Sequence, residues 1–226
     1  MKKEVIVLSL GGSQIIPDKV NVKFLKEFKK IIKLNSNKYK FVIVCGGGSV
    51  ARKYIAGLQD KSYEVQSTAG IAATRMNAKF MSCFFDKSTD YKIPTEIKQI
   101  KKQLRKNQIV FCGALGFKPR QTTDSNAAEI AHYFKSKFIN ITNVSGLHNK
   151  NPKKFKNAKL ISKISWNQFQ KMANKSKFTP GQHFVLDQTA AKLIQKNKTQ
   201  TYIIGSNKQL NNLLKDKRFV GTVIGD

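Results

Sequence analysis

Apolar residues along this chain fall into short unbroken runs separated by stretches with a helical repeat, the pattern of buried strands alternating with helices that pack on them. The runs lie at 5–10, 41–44, 109–112, 138–142, 201–204 and 222–224. Between them, Phe24, Leu25, Phe28, Ile31 and Ile32 share one face of a helix that starts at a capping Asn21, and Ile97, Ile100 and Leu104 mark another after Thr95. Ala127, Ala128, Ile130, Ala131 and Phe134 recur at helical spacing over 124–134, with side chains small enough to press closely on a sheet. Asp187 stands in N-cap position for a helix over 187–194 that carries Ala190 and Ala191. This β-α order predicts an α/β fold, a three-layer αβα sandwich around a mostly parallel central sheet.

The 226 residues suffice for one substantial core, so a single domain over 1–226 with two lobes is expected. No stretch reaches the roughly 18 consecutive apolar residues that span a bilayer, and the apolar run at the N-terminus is short for a signal peptide. No membrane association and a cytoplasmic location are therefore expected. Cys45, Cys83 and Cys112 are odd in number and lack CxxC spacing, which predicts buried free thiols rather than a disulfide framework or a metal site.

The formal charge is +29, from 42 basic against 13 acidic residues. Such a field draws anionic ligands and, less specifically, nucleic acid. The cations are spread along the whole chain, however, and only five are arginine, the residue best suited to bidentate phosphate and base recognition. Surface lysines then imply only non-specific nucleic-acid binding.

Two strands end in glycine: Gly11-Gly12-Ser13 after the first, and Gly46-Gly47-Gly48-Ser49 after the second. A glycine cluster between strand and helix lets backbone N–H groups approach a phosphate without a Cβ in the way, and the helix adds its positive end. Two such junctions suggest two phosphates. Thr122 and Thr123 precede the small-residue helix, where hydroxyls and amides can bind another anion. Asp124 beside them would repel a phosphate unless Mg²⁺, its waters or a hydrogen bond stood between, and otherwise reads as a helix cap.

Taken together, GGS (11–13), GGGSVARKYI (46–55), GIAATRMNA (70–78), QTTDSNAA (121–128), TNVSGLHNKNPKK (142–154) and LDQTAAK (186–192) resemble, in order, the amino acid kinase superfamily, and within it the archaeal type of uridylate (UMP) kinase. The resemblance implies transfer of the γ-phosphoryl group of ATP to UMP, with Mg²⁺ accompanying ATP and a homohexameric assembly. It also implies an acceptor lobe at 1–137 and an ATP lobe at 138–226. Gly47, Gly48 and Arg52 match the acceptor-phosphate loop, and Ser67, Thr74, Gly113, Thr122 and Thr123 complete the implied UMP site. Gly11, Gly12, Ser13, Thr142, Asn143, Gly146, Leu147, His148 and Asn151 match the ATP site, and Asp124, Asp187 and Gly12 the catalytic centre. No residue is assigned as a metal ligand. Arg75 and Asn77 fall in the same acceptor-lobe helix as Thr74.

The chain also departs from the family pattern. Ser9 stands where many members have a first-strand lysine, and Ser67 where related UMP kinases have a ribose-binding aspartate. Ser145, His148 and Asn151 replace two aspartates and an aromatic in the ATP loop. Lys192 would point about 140° away from Asp187 on an ideal helix, so it is only a loose replacement for the missing cation. A UMP phosphate oxygen is already an anionic nucleophile, so no general base is needed and His132, His148 and His183 need not be catalytic. A nucleotide-binding regulator that lost catalysis, a same-fold kinase for isopentenyl phosphate or acetylglutamate, and a basic RNA-binding protein remain as alternatives. The absence of histidine before position 132 counts against the isopentenyl phosphate reading.

Overall fold

The computed structural model describes residues 3–118, 121–152, 154–175 and 185–226. In chain order the elements are β1 (Glu4–Leu10), α1 (Gly12–Ile15), α2 (Val22–Asn35), β2 (Tyr39–Cys45), α3 (Gly48–Ala56), α4 (Tyr63–Phe84), α5 (Ile97–Lys106), β3 (Ile109–Cys112) and α6 (Thr123–Phe134). Then follow β4 (Lys137–Ile141), β5 (Lys163–Ile164), α7 (Trp166–Lys175), α8 (Gln188–Lys196), β6 (Thr201–Ile204), α9 (Asn207–Leu214) and β7 (Thr222–Ile224). Among the described residues seven strands form one sheet in the order β3-β2-β1-β4-β6-β7-β5, parallel throughout except between β6 and β7.

Alternation along the strands sends side chains to two apolar layers. Ile6, Leu8, Leu10, Phe41, Ile43, Cys45, Ile139 and Ile141 meet Phe28 and Ile32 of α2, Met81 of α4 and Leu210 of α9 on one face. Val7, Val42, Val44, Cys112, Phe138 and Ile203 meet Ile100 of α5, the alanines of α6, Phe169 of α7 and Ile194 of α8 on the other. The αβα sandwich predicted from the sequence is therefore the observed architecture. None of the described helices is long and apolar enough to cross a membrane.

Several local expectations change. The fourth strand stops at Ile141, one residue before Thr142, and the two-residue β5 is too short for any periodicity to reveal. Cys45 and Cys112 are buried as expected, but Cys83 is exposed on α4. Asn21 does cap α2, accepting from the Phe24 amide at 3.3 Å. The cap of α6 is Thr122, not Asp124.

The strand order reverses direction between β1 and β4. In open α/β sheets that switch point leaves a crevice outside the carboxyl ends of the strands, where ligands bind. The segments beginning at Gly11, Gly46, Gly113 and Thr142 all leave the sheet at that edge.

Candidate active site

The two glycine turns touch backbone to backbone. The Gly11 amide donates to Ile141 O at 3.1 Å and the Gly46 amide to Leu10 O at 2.9 Å, so each strand hands its direction to its neighbour's exit. A Cβ on Gly46 would lie 2.5 Å from the Gly12 nitrogen. Gly48 has a left-handed φ of +64°, a conformation that glycine adopts without steric cost. The buried Asn77 of α4 donates to Gly46 O at 2.7 Å and fixes the second turn from below.

The exit of β3 is held in the same way. A Cβ on Gly113 would meet the Thr74 hydroxyl at 2.6 Å, and that hydroxyl accepts from the Ala114 amide while donating to Ile71 O. Arg75 donates to Ala114 O and Leu115 O, and Asn126 accepts from the Leu115 amide. Thr74 is thus committed to shaping the loop, and Arg75 with it. Arg52 is exposed on α3, and Ser67 is half-buried on α4.

Beneath these turns lie two carboxylates. Asp124 accepts from Ser9 Oγ at 2.6 Å and from Asn140 Nδ2 at 2.9 Å, both on Oδ1. Burial pushes its carboxyl up to about 7, with the nearby Asp187 adding to the rise and the Ser9 and Asn140 hydrogen bonds opposing it. Asp187 Oδ1 caps α8 by accepting from the Ala190 amide at 2.9 Å, while Oδ2 accepts from the Thr122 hydroxyl. Thr122 in turn caps α6 through a capping box with Ser125. The N-termini of two helices, each the positive end of its helix, are thereby tied together at one point.

The fourth segment is wedged into the fold. The Thr142 amide donates to Ile204 O, and Thr142 O accepts from the buried Gln14 side chain at 2.6 Å. A Cβ on Gly146 would strike Leu160 and Thr222. Leu147 is a core residue whose amide donates to Thr222 Oγ1 and whose carbonyl accepts from Ile161, so its contribution is to hold the turn rather than to face solvent. Asn143 and Ser145 are exposed, and His148 is half-buried with Nδ1 3.0 Å from Gly146 O. Asn151 anchors the following turn, its carbonyl accepting from the amides of Lys154 and Phe155. His183 lies outside the described residues, and His132 is exposed on α6.

The expected residues Gly11, Gly12, Ser13, Gly47, Gly48, Gly113, Thr122, Thr123, Asp124, Thr142 and Asp187 all stand at strand exits or helix starts on this edge. Sequence reasoning missed Gln14 and Asn140 as parts of the arrangement, and Asn126 as a brace. The available signal was a polar residue inside an apolar run, as in the Asn140 of FINI. Among the described residues no three His, Cys, Asp or Glu side chains cluster as a metal cage. A pair of carboxylates is nevertheless the usual protein share of a Mg²⁺ site completed by substrate phosphates, so the donor set fits that ion.

The sequence pattern of the amino acid kinase family matches residues 4–205. The uridylate kinase of Archaeoglobus fulgidus is 33% identical over 223 residues, 97% of this chain and 99% of that protein. The uridylate kinase of Thermococcus sibiricus is 35% identical over 213 residues, 89% of this chain and 90% of its own length. Among solved structures, the Archaeoglobus fulgidus uridylate kinase superposes with a TM-score of 0.83 at 32% identity, covering 97% of this chain and 99% of that one. The UMP kinase of Ureaplasma parvum shares the fold over the full length of both chains, with a TM-score of 0.81 at 23% identity.

Proposed function

Because this chain belongs to the amino acid kinase family, we propose that it transfers the γ-phosphoryl group of ATP to the phosphate of UMP, giving UDP and ADP. The observation that carries this reading is the convergence, at one switch point, of two interlocked glycine turns with Asp124 and the Thr122-bonded Asp187. Likeness to uridylate kinases along nearly the whole chain supplies the substrate class.

In this reading a UMP phosphate oxygen attacks the γ-phosphorus as the bond to the β-bridging oxygen breaks. The nucleophile is already ionised, so alignment and charge neutralisation are the whole task of the protein. Gly47, Gly48 and Arg52 hold the UMP phosphate, with Ser67 near the ribose and Gly113 shaping the acceptor wall. Thr122 and Thr123 present amides and hydroxyls at the start of α6. The turn at Gly11, Gly12 and Ser13 faces the transferring group, and Thr142, Asn143, Gly146, His148 and Asn151 border ATP, with Leu147 as their support. Asp124 and Asp187 would hold Mg²⁺, which when bound supplies positive charge against the phosphates.

The lobes at 1–137 and 138–226 divide acceptor from ATP, though a single sheet runs through both. The same reading carries a cytoplasmic homohexamer. Tyr54 on α3 and Tyr63, Val65 and Met76 on α4 are exposed apolar side chains suited to subunit packing, which light scattering would test. The test of function is ADP release with ATP and Mg²⁺ across UMP, dUMP, CMP and isopentenyl phosphate. UMP should lead the panel. Nucleotide binding without turnover would instead favour the regulator that the Ser9, Ser67, Ser145 and Asn151 departures suggest.

A further inference from the structure

Five residues stand side by side in one row across the sheet: Cys112, Val44, Ser9, Asn140 and Ile203. In-register neighbours on parallel strands direct their side chains to the same face, here the one covered by α6. All five are buried. Apolar residues would fill the middle of this row as well as they fill its ends, yet Ser9 and Asn140 put a hydroxyl and an amide there. Both donate to the same atom, Asp124 Oδ1.

The arrangement lowers stability. Asn140 Oδ1 is buried and has no hydrogen-bond partner among the described residues. An unsatisfied buried acceptor destabilises the fold, so the amide is poorly explained as a packing element. Asp124 itself is not needed to cap its helix, because Thr122 does so. Its Oδ2 carries no hydrogen bond from the described residues, so two buried donors constrain one end of a carboxylate and leave the other end open.

We propose that Ser9 and Asn140 are positioning residues for the transfer reaction, holding Asp124 by Oδ1 in a single rotamer so that Oδ2 remains for the reacting centre. The proposal rests on the kinase reading above for what Oδ2 serves. The anchoring is a property of the free protein. It also assigns a role to Ser9 without requiring it to replace a lysine's charge: the serine acts through Asp124 rather than on the phosphate.

The test uses Ser9→Ala and Asn140→Leu, each alone and combined with Asp124→Asn, with kcat, the KM for UMP and the melting temperature measured for every protein. Each single variant should lower kcat about tenfold or more while the KM for UMP stays within about twofold. Asn140→Leu should melt at or above the wild-type temperature, since it removes the unpartnered oxygen. In the Asp124→Asn background neither change should lower kcat further by more than about twofold. Near wild-type kcat in both single variants, or losses that multiply in the Asp124→Asn background, would overturn the proposal. If Asn140→Leu does not fold, Ser9→Ala decides the matter alone, because it deletes one oxygen and adds no bulk. A wild-type protein that phosphorylates no UMP would sink the kinase reading. The melting-temperature cycle among Asp124, Ser9 and Asn140 would then still judge the anchoring, and additive shifts would reject it.

Discussion

Gly12 and Gly48 approach so closely that a Cβ on Gly12 would lie 2.0 Å from the Gly48 nitrogen and 2.5 Å from its Cα. The two glycine turns are therefore one interlocked unit, and neither can shift without the other.

Replacing Gly12 by alanine forces backbone apart from backbone, with no flexible side chain able to yield. Gly12→Ala should lower the melting temperature sharply and abolish UMP phosphorylation. Gly57, by contrast, ends α3 at φ −71°, and a Cβ there would meet Tyr54 O at an ordinary 3.5 Å. Gly57→Ala should be neutral or stabilise by about 0.4–1 kcal/mol through loss of chain entropy in the unfolded state. Parallel thermal denaturation of the two variants checks the contrast.

Asp124→Asn should reduce kcat/KM by about a hundredfold or more, as losing a transition-state contact costs several kcal/mol. Its effect on stability should run the other way. With the carboxyl raised from 3.8 to about 7 in the fold, the folded state binds the proton more tightly than the unfolded state does. Its contribution is then fully present below pH 3.8 and is lost as pH rises to about 7. At about 1.4 kcal/mol per pH unit that interval sets a ceiling of about 4 kcal/mol. Melts in metal-free buffer should show wild type losing stability between pH 4 and 7 relative to Asp124→Asn; parallel curves would reject the assignment.

Asp187 has two separable duties. Its Oδ1 caps α8 and its Oδ2 accepts from the Thr122 hydroxyl, at what is proposed above as the transfer centre. Asp187→Asn retains a good capping oxygen, so it should melt near the wild type yet lose most of its kcat. Asp187→Ala should lose activity and also about 1 kcal/mol of stability. Equal melting of the two variants would show that the cap does not matter, and full activity in Asp187→Asn that the charge does not.

Ser67→Asp should favour UMP over dUMP. A charged hydrogen bond to a ribose hydroxyl contributes about 1.5–3 kcal/mol, against about 0.5–1.5 for a neutral one. The KM for UMP should then fall relative to dUMP by roughly fivefold to tenfold. Kinetics of both substrates in both proteins form a four-cornered comparison. An unchanged ratio would mean that Ser67 does not face the ribose.

Any RNA retained by the +29 protein should be of mixed sequence and released by about 0.5 M salt, because the cations are dispersed lysines rather than a base-reading surface. A filter-binding salt series on unrelated RNAs checks this, and a sequence preference that survives the salt would refute it.

The alternation of apolar runs with helical repeats was enough by itself to determine the αβα architecture, because burial on two faces leaves its mark on every strand and amphipathic helix. It was also enough to place glycine at the exits of β1 and β2 and threonine at the start of α6, since strand ends and helix starts demand those residues locally. Elements without such a mark were illegible: β5 is two residues long, and α4 exposes Tyr63, Val65 and Met76, so neither shows a clean period. Tertiary structure alone decided which polar groups share a partner. Ser9 and Asp124 are 115 positions apart, and Thr122 and Asp187 are 65 apart. Only the packing of α6 on β1 and its docking beside α8 bring them together. A sequence displays what each residue needs locally; which distant residue supplies it depends on how strands align and helices cross, and that is settled by packing.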